Sequence, residues 1–219
     1  MKNNLFIAIP RTASTAIRKA MNIKCYTNAL HKRHKIKNFL DNNKFVSFTH
    51  VNILDLIKHR IISKDKFYDC FKFAFVRNPW DRLVSLYFYF KKLITKNNKN
   101  KEDKKRSIWA QKDFTLFCSD LLIEKIDPIG FFNVKGISQC RPQHEWIFRK
   151  NKLFPEFIGK YENIEQDFNR LCKMLKIENK LEKVNTTNHE NYKSYYTNET
   201  KKIVTKIYEK DIELFKYQF

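Results

Sequence analysis

Arg11, Thr12, Ser14 and Thr15 crowd into five residues of the stretch "LFIAIPRTASTAIRKAM", residues 5 to 21. A guanidinium fork beside three hydroxyls is the making of an oxyanion site, because all four side chains donate to oxygen. The residues before them, Leu5 to Ile9, are uniformly apolar and stop at Pro10, and helical character begins at Ser14 and runs to about Met21. A helix leaves its first backbone N–H groups without intrahelical partners, so the amides from Arg11 to Thr15 can point at the same anion. Ala13 and Ala16 keep the turn uncrowded. The glycines and the Gly-Lys-Ser/Thr ending of an ATP-binding loop are missing. An ordinary strand-to-helix turn with Ser14 as N-cap would carry the same residues.

A second stretch, "FAFVRNPWDRLVSLY" at residues 73 to 87, repeats the arrangement of strand, basic residue and helix. Arg77 stands where the strand ends, Asn78 is the expected N-cap, Pro79 fills the first helical position and Asp81 the first turn. Ser85 lies two helical turns after Asn78, on the same face and roughly 10 Å further along. An arginine reaching from the strand end could share an anion with that hydroxyl.

The elements that must position these groups can be read from pattern. Leu5–Ile9, Phe45–Thr49 and Phe71–Val76 read as strands, and a further strand ends at Lys160–Tyr161. Helices are expected at Ile53–His59, from Pro79 onward with Leu83, Val84, Leu86, Tyr87 and Phe90 on one face, near Ile108–Glu124, and from Ile164. A last amphipathic helix spans Thr197–Phe215, with Ile203, Val204, Ile207, Tyr208 and Ile212 on one side. Residues 22–44 read as polar and irregular, and 91–106, with eight basic and two acidic side chains, as a mobile surface loop. Strands alternating with helices imply βαβ units, hence an α/β fold with a mostly parallel central sheet flanked by helices. Ligands in such folds bind beyond the carboxyl ends of the strands, where both stretches lie.

Composition bounds the rest. A chain of 219 residues, 42% hydrophobic and 15% aromatic, forms one domain with a substantial core. Five scattered cysteines without a Cys-x-x-Cys read as reduced thiols, and His31 and His34, with no cysteine or acidic partner nearby, as part of a basic loop, so no metal site is expected. The net charge of +21 invites a nucleic-acid reading, yet lysine and asparagine are abundant throughout and no Arg/aromatic recognition module stands out. A positive field that draws in a polyanionic cofactor fits better. With no signal peptide and no apolar run near ~20 residues, the expectation is a soluble, cytoplasmic protein.

Together, "IPRTASTAI" and "FAFVRNPWDRLVSLY" resemble the two cofactor motifs of the carbohydrate sulfotransferases, the group that includes chondroitin and heparan sulfate 2-O-sulfotransferases. Members typically read Ile/Val-Pro-Lys-Thr-(Ala/Gly)-(Ser/Thr)-Thr at the first site and Val-Arg-(Asn/Asp)-Pro-aromatic-(Asp/Glu)-Arg-Leu-Val-Ser at the second. "FIGKYENIEQDFNRLCKMLKI" and the closing "YYTNETKKIVTKIYEKDIELFKY" are similar to the family's C-terminal segments, so agreement spans nearly the whole chain.

The resemblance implies a P-loop-NTPase-like three-layer fold and a donor, 3′-phosphoadenosine 5′-phosphosulfate (PAPS), that leaves as adenosine 3′,5′-bisphosphate without a metal. Arg11, Thr12, Ala13, Ser14, Thr15 and Ala16 would hold the 5′-phosphosulfate, and Arg77 and Ser85 the 3′-phosphate. Arg11 departs from the usual lysine, the residue that neutralises the leaving oxygen, but keeps the charge. His50, which closes "FVSFTH", would be the general base, as a histidine between the two motifs is in heparan-type relatives, with Asp55 and Glu145 as lesser candidates. Arg141, Gln143 and His144 in "SQCRPQHEWI" match a segment near the acceptor groove and would contact a sugar or its carboxylate, the alternative being a capped helix start after Pro142. Lys160 and Tyr161 would help close the nucleotide pocket. The expected function is sulfuryl transfer to a carbohydrate hydroxyl. A small kinase and a non-catalytic basic protein that binds nucleic acid or acidic glycan are the alternatives.

Overall fold

Five short segments, most of them apolar, build the central sheet. The computed structural model describes residues 3–26, 43–48, 51, 53–58, 60–93, 107–122, 139–149, 152–182 and 189–219. Its strands are β1 (Asn4–Ile7), β2 (Lys24–Tyr26), β3 (Phe45–Phe48), β4 (Phe71–Val76), β5 (Phe148–Arg149), β6 (Lys152–Leu153) and β7 (Phe157–Lys160). Its helices are α1 (Ser14–Ala20), α2 (Ile53–Lys58), α3 (Lys64–Asp69), α4 (Pro79–Leu93), α5 (Phe114–Leu122), α6 (His144–Ile147), α7 (Ile164–Leu175), α8 (Asn198–Ile207) and α9 (Glu209–Phe215). The chain divides into two compact units, Met1–Val76 with Glu145–Asn185, and Arg77–His144 with Thr186–Phe219.

The first unit holds the sheet, in the order β2-β3-β1-β4-β7, and every neighbouring pair is parallel. Parallel strands joined by helices are covered on both faces, which is why β1 and most of β4 are buried at every residue rather than at alternate ones. On one face Phe6, Phe73, Phe75 and Phe157 pack with Ile17 of α1 and with Phe168, Leu171 and Cys172 of α7. Gly159 is paired in register with Phe75, whose ring lies over it so closely that a Cβ there would collide with the ring edge. Lys72, the one charge in β4, is buried, and its ammonium donates to the carbonyls of Phe67 (3.2 Å) and Cys70 and pairs with Glu156 at 3.1 Å.

The second unit is helical. Asn78 caps α4 as its sequence implies, its Oδ1 accepting from the N–H groups of Trp80 at 3.0 Å and Asp81 at 3.3 Å. The buried face of α4 meets a run of rings, in which Tyr87 lies edge-on to Phe117 and Trp109 stacks on Phe117 at 3.8 Å. Thr197 and Thr200 form a reciprocal capping box at the start of α8.

Three features differ from the sequence expectation. The predicted closing helix is two helices, α8 and α9, because Tyr208 leaves helical geometry (φ −108°, ψ 19°) with its phenol buried against the Cys140 carbonyl. A short edge strand, β2, occupies part of the region expected to be irregular, and the α3 turn capped by Ser63 was not anticipated. His31, His34, most of the basic 91–106 segment and the last two residues of the expected helix at Ile108–Glu124, those beyond Leu122, lie outside the described residues. All five cysteines are free thiols. Burial raises the Cys70 thiol to about 11 and pushes Cys118 higher still. No helix among the described residues is long and apolar enough to cross a membrane, and no three of their His, Cys, Asp and Glu side chains group as metal ligands.

Candidate anion-binding active site

The first motif is a loop between β1 and α1 whose geometry a glycine would ordinarily supply. Arg11 (φ 65°) and Ala13 (φ 62°, ψ 20°) both adopt left-handed backbone, which costs a residue with a Cβ on the order of 1 kcal/mol or more. Two hydroxyls hold them there. Thr12 Oγ1 donates to the carbonyl of Ile9 at 3.0 Å, and Ser14 Oγ donates to the same carbonyl at 2.8 Å. Thr12 is completely buried, so its bond is sheltered from water. The N-cap position is Ala13, with no side-chain cap, and the first helical bond runs from Ile17 N–H to Ala13 O at 3.1 Å. Ser14 is therefore not the cap that an ordinary turn would have made it; it is a brace. Backbone turned in this alternating way aims successive N–H groups into a concavity that suits an anion.

A hydroxyl has one proton to give. Thr12 and Ser14 have given theirs to Ile9, so their contribution to an anion is the backbone N–H. Thr15 is exposed and accepts from Arg18 Nη2 at 3.5 Å, which leaves its proton for a ligand. Arg18, one helical turn beyond the loop, also donates from Nε to the Ser14 carbonyl at 3.3 Å and contacts Cys25 Sγ at 2.7 Å. Its spacing from Ser14 is the signal that sequence reading passed over.

The second motif begins where the chain leaves β4. Arg77 is 6% exposed and forms a bidentate pair with Asp81, Nε to Oδ2 and Nη2 to Oδ1, each at 2.8 Å. The pair fixes the plane of the guanidinium and engages two of its five donors. Ser85 is completely buried in α4. The Arg77 backbone is held as firmly as its side chain. Gln143 accepts from Arg77 N–H at 2.8 Å and donates to Arg77 C=O at 2.7 Å through opposite ends of one amide. Behind Gln143 stands Asp211, fully buried, which accepts from the backbone N–H groups of Gln143 (2.6 Å) and His144 (2.8 Å) and meets His144 Nδ1 at 2.8 Å.

Of the three residues expected at an acceptor groove, Gln143 is thus wholly buried and committed to Arg77, and His144 is tied to Asp211, whereas Arg141 is partly exposed. Arg82 adds to the same corner, completely buried and donating to the carbonyls of Gln139 at 2.6 Å and Arg141 at 3.0 Å. Asp211 was missed, although a signal existed. The buried stripe of the closing helices is Thr200, Val204, Tyr208, Asp211 and Phe215, and a carboxylate in that helical series has to be meeting donors. In the first unit, Asp55 and Glu145 are partly exposed, and the Lys160 N–H donates to Asp167 at 2.6 Å ahead of Tyr161. His50 lies outside the described residues.

The first unit thus holds a braced, glycine-free loop at the end of β1, and the second a clamped arginine at its start. A 139-residue stretch, 63% of the chain, is 27% identical to an uncharacterised protein of Archaeoglobus fulgidus, covering 94% of that protein. The model of the Sulfotransferase family matches residues 2–218, running through both units. The chain belongs to the Sulfotransferase family.

Proposed function

We propose that the protein transfers the sulfuryl group of 3′-phosphoadenosine 5′-phosphosulfate to a carbohydrate hydroxyl, in the manner of the 2-O-sulfotransferases its motifs resemble. The observation that carries this reading is the loop from Arg11 to Thr15, left-handed at two non-glycine residues and stapled by Thr12 and Ser14 to the Ile9 carbonyl. The Gly-Lys-Ser/Thr ending with which an ATP loop holds a magnesium triphosphate is missing from this stretch, which favours a phosphosulfate over the nucleotide of a kinase.

In this reading the backbone of Thr12 to Ala16, the Thr15 hydroxyl and the Arg11 guanidinium hold the 5′-phosphosulfate, while Arg77 and Ser85 hold the 3′-phosphate. When bound, the nucleotide supplies an activated sulfuryl group. Sulfuryl transfer, like phosphoryl transfer, passes through a loose in-line transition state, so the chain's work is positioning and charge. Arg11 meets the negative charge that grows on the leaving oxygen. His50 takes the proton of the acceptor hydroxyl, and Arg141 faces the acceptor. No residue in the scheme is a metal ligand.

Adenosine 3′,5′-bisphosphate tests the reading. At about a hundredfold excess over its Kd it should stabilise the protein by about 2.7 kcal/mol, a Tm rise of roughly 5–10 °C for a chain of this size. ATP and an oligonucleotide should give much smaller shifts, and Arg77→Ala should remove most of the effect. A larger shift from ATP would favour a kinase, and one from the oligonucleotide a nucleic-acid binder.

A further inference from the structure

The turn that carries Arg77 is held from the far end of the chain. Asp211 accepts from four donors of two consecutive residues: its Oδ2 from the Gln143 N–H (2.6 Å) and side-chain amide (3.5 Å), its Oδ1 from the His144 N–H and ring Nδ1 (2.8 Å each). Gln143, so fixed, brackets the Arg77 peptide on both sides. The next residues of the turn are tied to the same terminal segment. Asn78 Nδ2 donates to the Gln218 carbonyl at 2.9 Å, the Trp80 ring meets Phe219 edge-on at 5.5 Å, and Tyr196 donates to the Trp80 carbonyl at 2.9 Å. Asp211, Gln143 and Thr12 are all completely buried, yet Thr12 braces its loop by a bond three residues away, whereas Arg77 is braced across 66 and then 68 residues of chain.

We infer that Asp211, acting through Gln143, is a positioning residue for Arg77 and thereby sets the selectivity of the site for a nucleotide that carries a 3′-phosphate. The inference rests on the function proposed above. Its chemistry is specific: every contact of Asp211 is as an acceptor, so asparagine, which must turn an NH2 toward one of the two donor pairs, cannot reproduce it. Loosening Gln143 frees the Arg77 peptide and lets the guanidinium leave the plane in which Asp81 and an anion meet it. Charge-assisted bonds to a phosphate are worth on the order of 10- to 100-fold in affinity, so a misdirected Arg77 loses about that much for the 3′-phosphate and nothing for the rest of the nucleotide.

The test is calorimetric binding of adenosine 3′,5′-bisphosphate and of AMP, which differ only in the 3′-phosphate, to wild type, Asp211→Asn and Gln143→Met. Wild type should prefer the bisphosphate by about 100-fold. Both variants should lose about 10-fold or more of that preference while binding AMP within about twofold of wild type. Gln143→Met conserves volume and removes both bonds to Arg77, so it carries the test alone if Asp211→Asn does not fold. An unchanged preference, or equal loss for both nucleotides, would make Asp211 a fold-stabilising residue and overturn the inference. A wild type that shows no preference would overturn the nucleotide reading itself.

Discussion

Arg11 combines two properties that do not ordinarily occur together, a permanent positive charge and a left-handed backbone. The charge matters most where negative charge develops during reaction, so its loss falls on the chemical step. Arg11→Ala should lower kcat by about 10²- to 10³-fold while the Kd for adenosine 3′,5′-bisphosphate changes by less than about 10-fold, checked by steady-state kinetics and calorimetry. Arg11→Lys should recover much of the rate. Equal losses in kcat and affinity would make Arg11 a plain anchor. At this scale the sequence offers the residues of the loop, and the structure adds where two of its hydroxyls point. Thr12 and Ser14 look like ligand donors because hydroxyls near a helix start usually are; that both turn back onto Ile9 depends on backbone angles no local pattern reveals. Gln143 likewise looks like an acceptor contact until its partner Arg77, 66 residues away, is seen.

β1, β4 and α4 were legible because their signals are local: unbroken apolar runs for buried parallel strands, and an Asn-Pro start for the helix. β2 was not, since three residues of mixed polarity at a sheet edge acquire strand geometry only from pairing with β3. The break between α8 and α9 was hidden for a similar reason, as apolar periodicity continues through Tyr208 while the Cys140 carbonyl draws its phenol out of register. Gly159 illustrates the reverse case, a residue visible in the "FIGK" motif whose reason is tertiary. The Phe75 ring occupies the space of its missing side chain. Gly159→Ala should destabilise the protein by about 1–3 kcal/mol by overpacking, read from urea denaturation, and Phe75→Leu in the same chain should restore part of the loss. A neutral Gly159→Ala would mean that β4 and β7 separate without cost.

For the whole molecule, a charge of +21 on 219 residues supplies a field that concentrates anions, so donor and any acidic acceptor should arrive faster at low ionic strength. That field does not select a substrate; in the proposed reading the loop from Arg11 to Thr15 and the clamped turn at Arg77 do. The fold class and family could be read from two motifs because both are strand-end turns with fixed spacing. The acceptor could not, because a hydroxyl is recognised by surfaces assembled from distant segments. The account is tested most directly by incubating the protein with PAPS carrying a labelled sulfuryl group and a panel of glycans. It predicts label transferred to a carbohydrate hydroxyl with release of adenosine 3′,5′-bisphosphate, and transfer nearly abolished in Arg11→Ala. Label that stays on the nucleotide across the panel, with a protein that nonetheless turns over ATP, would contradict it.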